Sequence, residues 1–81
     1  MDLVALTEFL VKNVVKEPDM VSVKQFEEVD EEVIIQVLVN ETDMGAVIGK
    51  KGAIANAIRT LVQASAYINN HKKVRINIDS F

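Results

Sequence analysis

The sequence predicts a small α+β domain with element order α-β-β-α-α-β, a three-stranded sheet with three helices packed on one face. Three observations predict it. An apolar stripe of helical period opens the chain. Three stretches alternate apolar and polar residues with period two. Two further apolar stretches of helical character are separated by only Gly49-Lys50-Lys51-Gly52. At 81 residues and 49% hydrophobic content the chain fits one domain over residues 1–81, with a core that needs no staples.

The elements follow in order. Asp2 caps a first helix, in which Leu3, Leu6, Leu10 and Val14 recur at helical spacing with Val11 and Val15 beside them. Pro18 ends it. Residues 21–26 are rich in β-formers and read as a strand, and the acidic run over 27–32 reads as a hairpin turn. Val33, Ile35, Val37 and Val39 alternate strictly while Ile34 and Leu38 lie opposite, which predicts a central strand buried largely on both faces. The run 40–43 supplies caps, Thr42 and Asp43 among them, for a short helix over 43–48. A longer helix runs from Ala53 to about Ile68, with Ile54, Ile58, Leu61 and Ile68 toward one side and Ala57, Ala64 and Ser65 between them. Asn69, Asn70 and His71 break it, and residues 73–79 form a strand with Val74, Ile76 and Ile78 inward and Lys73, Arg75 and Asn77 outward.

Composition excludes several classes of function. There is no cysteine, hence no disulfide scaffold, cysteine nucleophile or thiolate zinc site. The single histidine, His71, has no second histidine to act with. The acids of 27–32 lack a calcium-loop pattern, and no nucleophile–base pair or cofactor fingerprint is present. The expectation is a non-enzyme without metal or cofactor. The N-terminal stretch lacks the features of a signal peptide, and no run approaches the ~18 apolar residues of a membrane span. A soluble cytoplasmic protein is expected.

Net charge is −3, but its distribution is uneven. Residues 1–43 carry −8, whereas residues 44–78 carry +6 and no acid at all. A polyanion responds to local potential, because screening removes interactions beyond roughly 10 Å. The basic half contains the glycine loop. Two glycines permit positive φ and close backbone approach. The start of the long helix favours an anion, and Lys50 and Lys51 project there into water. Val47, Ile48, Ala53, Ile54 and Ala57 on either side describe an apolar groove floor beside a cationic lip, which suits unstacked bases with a phosphate backbone along the lip. Lys72, Lys73 and Arg75 read as a solvated strand edge, and Arg59 as a residue facing either groove or water.

The string Val47-Ile48-Gly49-Lys50-Lys51-Gly52, followed by Ile54 and Ile58, resembles the KH-domain signature, whose G-x-x-G loop clamps about four nucleotides. The element order resembles the type II KH arrangement. With A-I-R-T-L-V and the late K-K-V-R-I, nearly the whole chain is similar to small bacterial single-KH proteins of the KhpA type. The resemblance implies RNA contacts at Val47, Ile48, Gly49, Lys50, Lys51, Gly52, Ala53, Ile54, Asn56, Ala57 and Arg59. It implies a cytoplasmic RNA chaperone or post-transcriptional regulator of low sequence specificity. It also implies self-association, or pairing with a larger KH-containing RNA-binding protein linked to cell elongation and division, and so to cell shape.

Three positions depart from the pattern. Ala46, Ala53 and Asn56 stand where similar proteins often carry a basic residue, which predicts weak RNA affinity. Tyr67, the nearest aromatic, lies about four helical turns from Gly52, so base stacking is not expected in the groove. Small residues let another backbone approach the long helix, for most of them that of the protein's own sheet; with the self-association that the resemblance implies, Ala57, Leu61, Ala64 and Ser65 are the expected surface of a homodimer near Leu61. The alternative function is a protein-interaction module with little RNA affinity, acting on cell elongation through its partner.

Overall fold

The structure is a computed structural model that describes residues 2–27, 32–68 and 73–81. Helix α1 (Leu3–Lys12) begins where the Asp2 carboxylate accepts from the N–H groups of Val4 and Ala5, at 2.7 and 3.2 Å. Its buried spine is Leu3, Thr7 and Val11, with Leu6 and Leu10 half-buried beside it. The Thr7 hydroxyl donates to the Leu3 carbonyl at 2.8 Å, which satisfies it inside the core. The helix ends at Lys12, six residues before Pro18, not at it. The Asn13 amide donates to the Phe9 carbonyl at 2.6 Å and closes the last turn, and the β-branched pair Val14 and Val15 continues outside the helix, half-buried against the core. Pro18 instead opens a single 3₁₀ turn, Pro18–Met20.

Strand β1 (Ser22–Glu27) pairs antiparallel with β2 (Glu32–Val39) in a register running from Ser22↔Leu38 to Glu27↔Val33. The centre of the expected hairpin turn lies outside the described residues, as does the break at 69–71. Strand β3 (Lys73–Ser80) lies on the other side of β2 and parallel to it. A parallel neighbour requires a crossover. Helix α2 (Met44–Ile48) and helix α3 (Ala53–Ile68) provide it.

The central strand is fully buried on one face and only half-buried on the other. Val33, Ile35, Val37 and Val39 are buried against the helices, while Ile34, Gln36 and Leu38 are half-buried on the side that carries no helix. Strict alternation therefore describes β2 better than an unbroken apolar run. Each buried Val or Ile contributes about 1.5–3 kcal/mol, and this row closes against Leu3, Val11, Val47, Ile58, Val62 and Ala66 from the three helices.

Asp43 takes a different role from the expected cap. Its side chain makes no bond to α2. It is 1% exposed, and its two carboxylate oxygens accept the backbone N–H groups of Lys16 and Glu17, each at 3.0 Å. Nor does Thr42 cap. The Asn40 side chain accepts from the Thr42 N–H and hydroxyl at 3.1 Å each, and so starts the turn Glu41–Asp43. Asp43 thus ties the chain leaving α1 to the start of α2, and fixes the direction in which α2 delivers the glycine loop.

Candidate nucleic-acid interface

Helix α2 ends with the Gly49 N–H on the Gly45 carbonyl at 2.9 Å, and the chain then turns through three residues of positive φ. Gly49 sits at φ 75°, ψ 179°, a region open essentially to glycine alone. Lys51 sits at φ 56°, ψ 27° and Gly52 at φ 77°. Gly49 is also crowded: a Cβ there would come within 2.9 Å of the backbone nitrogen of Ile54. Gly52 is open, and a Cβ there would meet only the Asn56 amide, at 3.7 Å. The first glycine lets the loop lie flat on α3, and the second supplies only the turn. Gly52 N–H donates back to Gly49 at 3.2 Å, which closes the loop on itself. Lys50 and Lys51 are left exposed at the start of α3, whose first turn carries no acid to oppose them.

Helix α3 has three faces. Ala55, Ile58, Val62 and Ala66 are buried. Gly52, Asn56, Arg59, Gln63 and Tyr67 recur at spacings of four or three residues, so they share a second face. That face looks toward the open edge of β3. The Gln63 side-chain carbonyl accepts the Val74 N–H at 3.0 Å, while the Arg59 guanidinium donates to the Ile76 backbone carbonyl at 3.4 and 3.5 Å and to the Asn56 side-chain oxygen at 3.4 Å. A groove of about 470 Å³ lies here, lined by Arg59, Thr60, Gln63, Ala64, Tyr67 and Val74. The third face is turned to solvent and carries Ala57, Leu61, Ala64 and Ile68. Leu61 is 53% exposed and Ile68 81%.

A model of the family described as KhpA/KhpB, KH domain, matches residues 4–78. The chain belongs to that family. Proteins named RNA-binding protein KhpA are similar to this KH domain over most of both chains. The one from Clostridium perfringens is 44% identical over 90% of this chain and 95% of its own, and that of Listeria monocytogenes is 45% identical over 85% and 88%. The fold also matches part of Era. A nucleotide-bound Aquifex aeolicus Era superposes with a TM-score of 0.72 at 16% identity, and an Era complex with MgGDPNP and a piece of 16S ribosomal RNA with 0.73 at 16%. Each match covers 98% of this chain and 30% of the Era chain, and it shows the fold alone.

Within this KH domain the expected contact residues separate into groups. Gly49, Lys50, Lys51, Gly52, Ala53, Asn56 and Ala57 are at the surface or partly so, and Ile48 and Ile54 stand beside the loop at 39% and 37% exposure. Val47 does not belong with them. It is wholly buried in the core and supports the loop from beneath, out of reach of a ligand. Arg59 resolves toward β3, where it clips the strand edge. The four apolar residues expected along one side of α3 divide as well: Ile58 packs inward, whereas Ile54, Leu61 and Ile68 stay exposed. Lys73 and Arg75 are exposed on β3, at the sheet edge as expected, with Arg75 3.0 Å from the Glu32 carboxylate on the helix-free face. Lys72 and His71 lie outside the described residues. Sequence reasoning set Tyr67 aside and passed over Gln63. The spacing 52, 56, 59, 63, 67 was the available signal, because it carries the loop's side of the helix along its whole length.

Proposed function

We propose that this KH domain binds single-stranded RNA, with Lys50 and Lys51 in contact with phosphates and with bases laid over Ile48, Ala53, Ile54 and Ala57. The observation that carries the reading is the loop itself: a closed turn with three positive φ values that presents two exposed lysines at the start of a helix without first-turn acids. The names of the KhpA relatives support it. Backbone contacts position a strand and read little sequence, so the protein acts as a low-specificity RNA chaperone or post-transcriptional regulator, and its place of action is the cytoplasm. Among the described residues no helix is long and apolar enough to cross a membrane. The test is fluorescence anisotropy of a labelled single-stranded RNA from low to physiological salt, beside a Lys50→Asp, Lys51→Asp double variant. Salt-weakened binding that vanishes in the variant is expected, and equal binding by both proteins overturns the reading.

A second role follows from the solvent face of α3. Ala57, Leu61 and Ala64, with the half-buried Ser65 at their margin, form the surface of a homodimer or of a complex with a larger KH-containing protein. The exposed side chains of Leu61 and Ile68 favour it, since large apolar groups aligned on one helix face mark interaction sites. A mass by light scattering that stays monomeric at every concentration, alone and with candidate partners, removes this role. RNA binding that proves negligible at low salt while the complex forms leaves the domain as an interaction module.

A further inference from the structure

The polar face of α3 does not end at the loop. From Gly52 to Tyr67 it runs fifteen residues, about 22 Å along the axis. An unstacked nucleotide spans ~6–7 Å, roughly twice the ~3.4 Å stacked rise, so the face is as long as the stretch of about four nucleotides that such a loop engages. At its far end the two side chains Arg59 and Gln63 hold α3 against the edge of β3 and leave the groove between them open. Its wall and rim are unlike the loop end. Tyr67 is 63% exposed and lines the groove together with Val74. The side-chain nitrogen of Gln63, a residue of the lining, is buried with no hydrogen-bond partner among the described residues, a donor that still wants an acceptor.

We propose that this groove seats a nucleobase at the far end of the strand whose phosphates the Gly49–Gly52 loop holds, with Tyr67 as its stacking platform and Gln63 as its polar contact. The proposal rests on the RNA reading above and extends it to a second anchor. Continuity argues for RNA as the occupant, since loop and groove share one face of one helix. The chemistry agrees: a flat ring beside Tyr67, Val74 and Ala64 with a polar edge toward Gln63 describes a base. A base bears ring nitrogens and carbonyls, the acceptors that the Gln63 nitrogen lacks.

Two anchors at opposite ends make affinity depend on length. The experiment measures anisotropy of fluorescein-labelled oligouridylates of three and six nucleotides with wild type, Tyr67→Ala, Tyr67→Phe and the Lys50→Asp, Lys51→Asp double variant. Circular dichroism and light scattering control for folding and mass. Tyr67→Ala is expected to weaken binding of the six-nucleotide strand about tenfold and to leave the three-nucleotide strand unchanged, with Tyr67→Phe close to wild type on both. If Tyr67→Ala equals wild type on the longer strand while the double lysine variant loses binding, the second anchor is overturned and the loop reading stands. If the double variant equals wild type, both fall.

Discussion

The two exposed faces of α3 are built from different materials and respond to different perturbations. The face toward β3 is polar, tied at two points to backbone atoms of a neighbouring strand, and continuous with a loop of positive-φ residues. The face toward solvent is apolar, and its largest side chains, Leu61 and Ile68, lie mostly in water. On the first face the fold spends conformational strain and hydrogen bonds to hold a shape. On the second it leaves hydrophobic surface bare. In the proposed reading one helix therefore presents a cationic-ended track for a flexible polyanion and, roughly a quarter-turn or more away, an apolar patch for a folded partner. The two proposed uses share Ala57 near the loop and Ala64 at the border, so the proposed dimer leaves the rest of each proposed RNA track open.

The largest effect expected on this contrast comes from the polar face's origin. Gly49→Ala places a Cβ against Ile54 and forces alanine into a glycine-only region, and is expected to cost about 3 kcal/mol in urea denaturation. Gly52→Ala meets open space and is expected to cost about 1 kcal/mol, from φ alone. Similar costs at both glycines would mean that the loop does not rest on α3 as described. Asp43→Ala strips two backbone donors of their charged acceptor at a buried site, and is expected to cost about 2–3 kcal/mol and to weaken RNA binding by loosening α2.

Leu61→Asp addresses the solvent face. Its side chain is more than half exposed, so the stability of an isolated chain is expected to change by less than about 0.5 kcal/mol. The mass from light scattering is expected to fall to that of one chain, and the affinity of each chain for a three-nucleotide RNA to remain. A stability loss that grows with protein concentration would mark coupling of folding to assembly. Loss of RNA binding together with the change in mass would show that the two faces are not independent.

The fold was legible because its elements carry simple periods. The strict alternation of residues 33–39 and 73–79 and the sixteen residues of α3 appear where the sequence places them. What escaped were features that depend on partners distant in sequence. Asp43 reads locally as a cap, yet its acceptors are used by Lys16 and Glu17, and no pattern within a few residues announces that. Pro18 is a loud stop signal that the helix never reaches, because Asn13 had already closed it. Val47 looked like groove floor because its neighbours in the motif are exposed, but the turn of α2 points it inward. The candidate site was legible at its glycines and lysines. It was not legible at Tyr67 and Gln63, whose importance arises only once β3 lies beside α3.

The smallest effect is expected at Lys51, and it separates the two things that residue does. Lys51 occupies the left-handed region without being a glycine, at a cost of about 1 kcal/mol that the loop geometry imposes. Lys51→Gly removes the strain together with the charge, so the variant is expected to be more stable by up to about 1 kcal/mol, offset in part by the greater freedom of glycine in the unfolded chain. It is also expected to lose about 0.7 of a unit from the slope of log affinity against log salt, the amount for one phosphate contact on a single strand. Lys51→Asn keeps tolerance of the left-handed backbone and removes only the charge, so it should show the same change in slope with a smaller gain in stability. An unchanged slope in both variants would assign the phosphate contact to Lys50 alone. Since no acid lies in the first turn of α3 and Ala53 contributes no charge, the loop would then hold its ligand through one cation and the backbone of the turn, and the groove at Tyr67 would have to carry correspondingly more of the affinity.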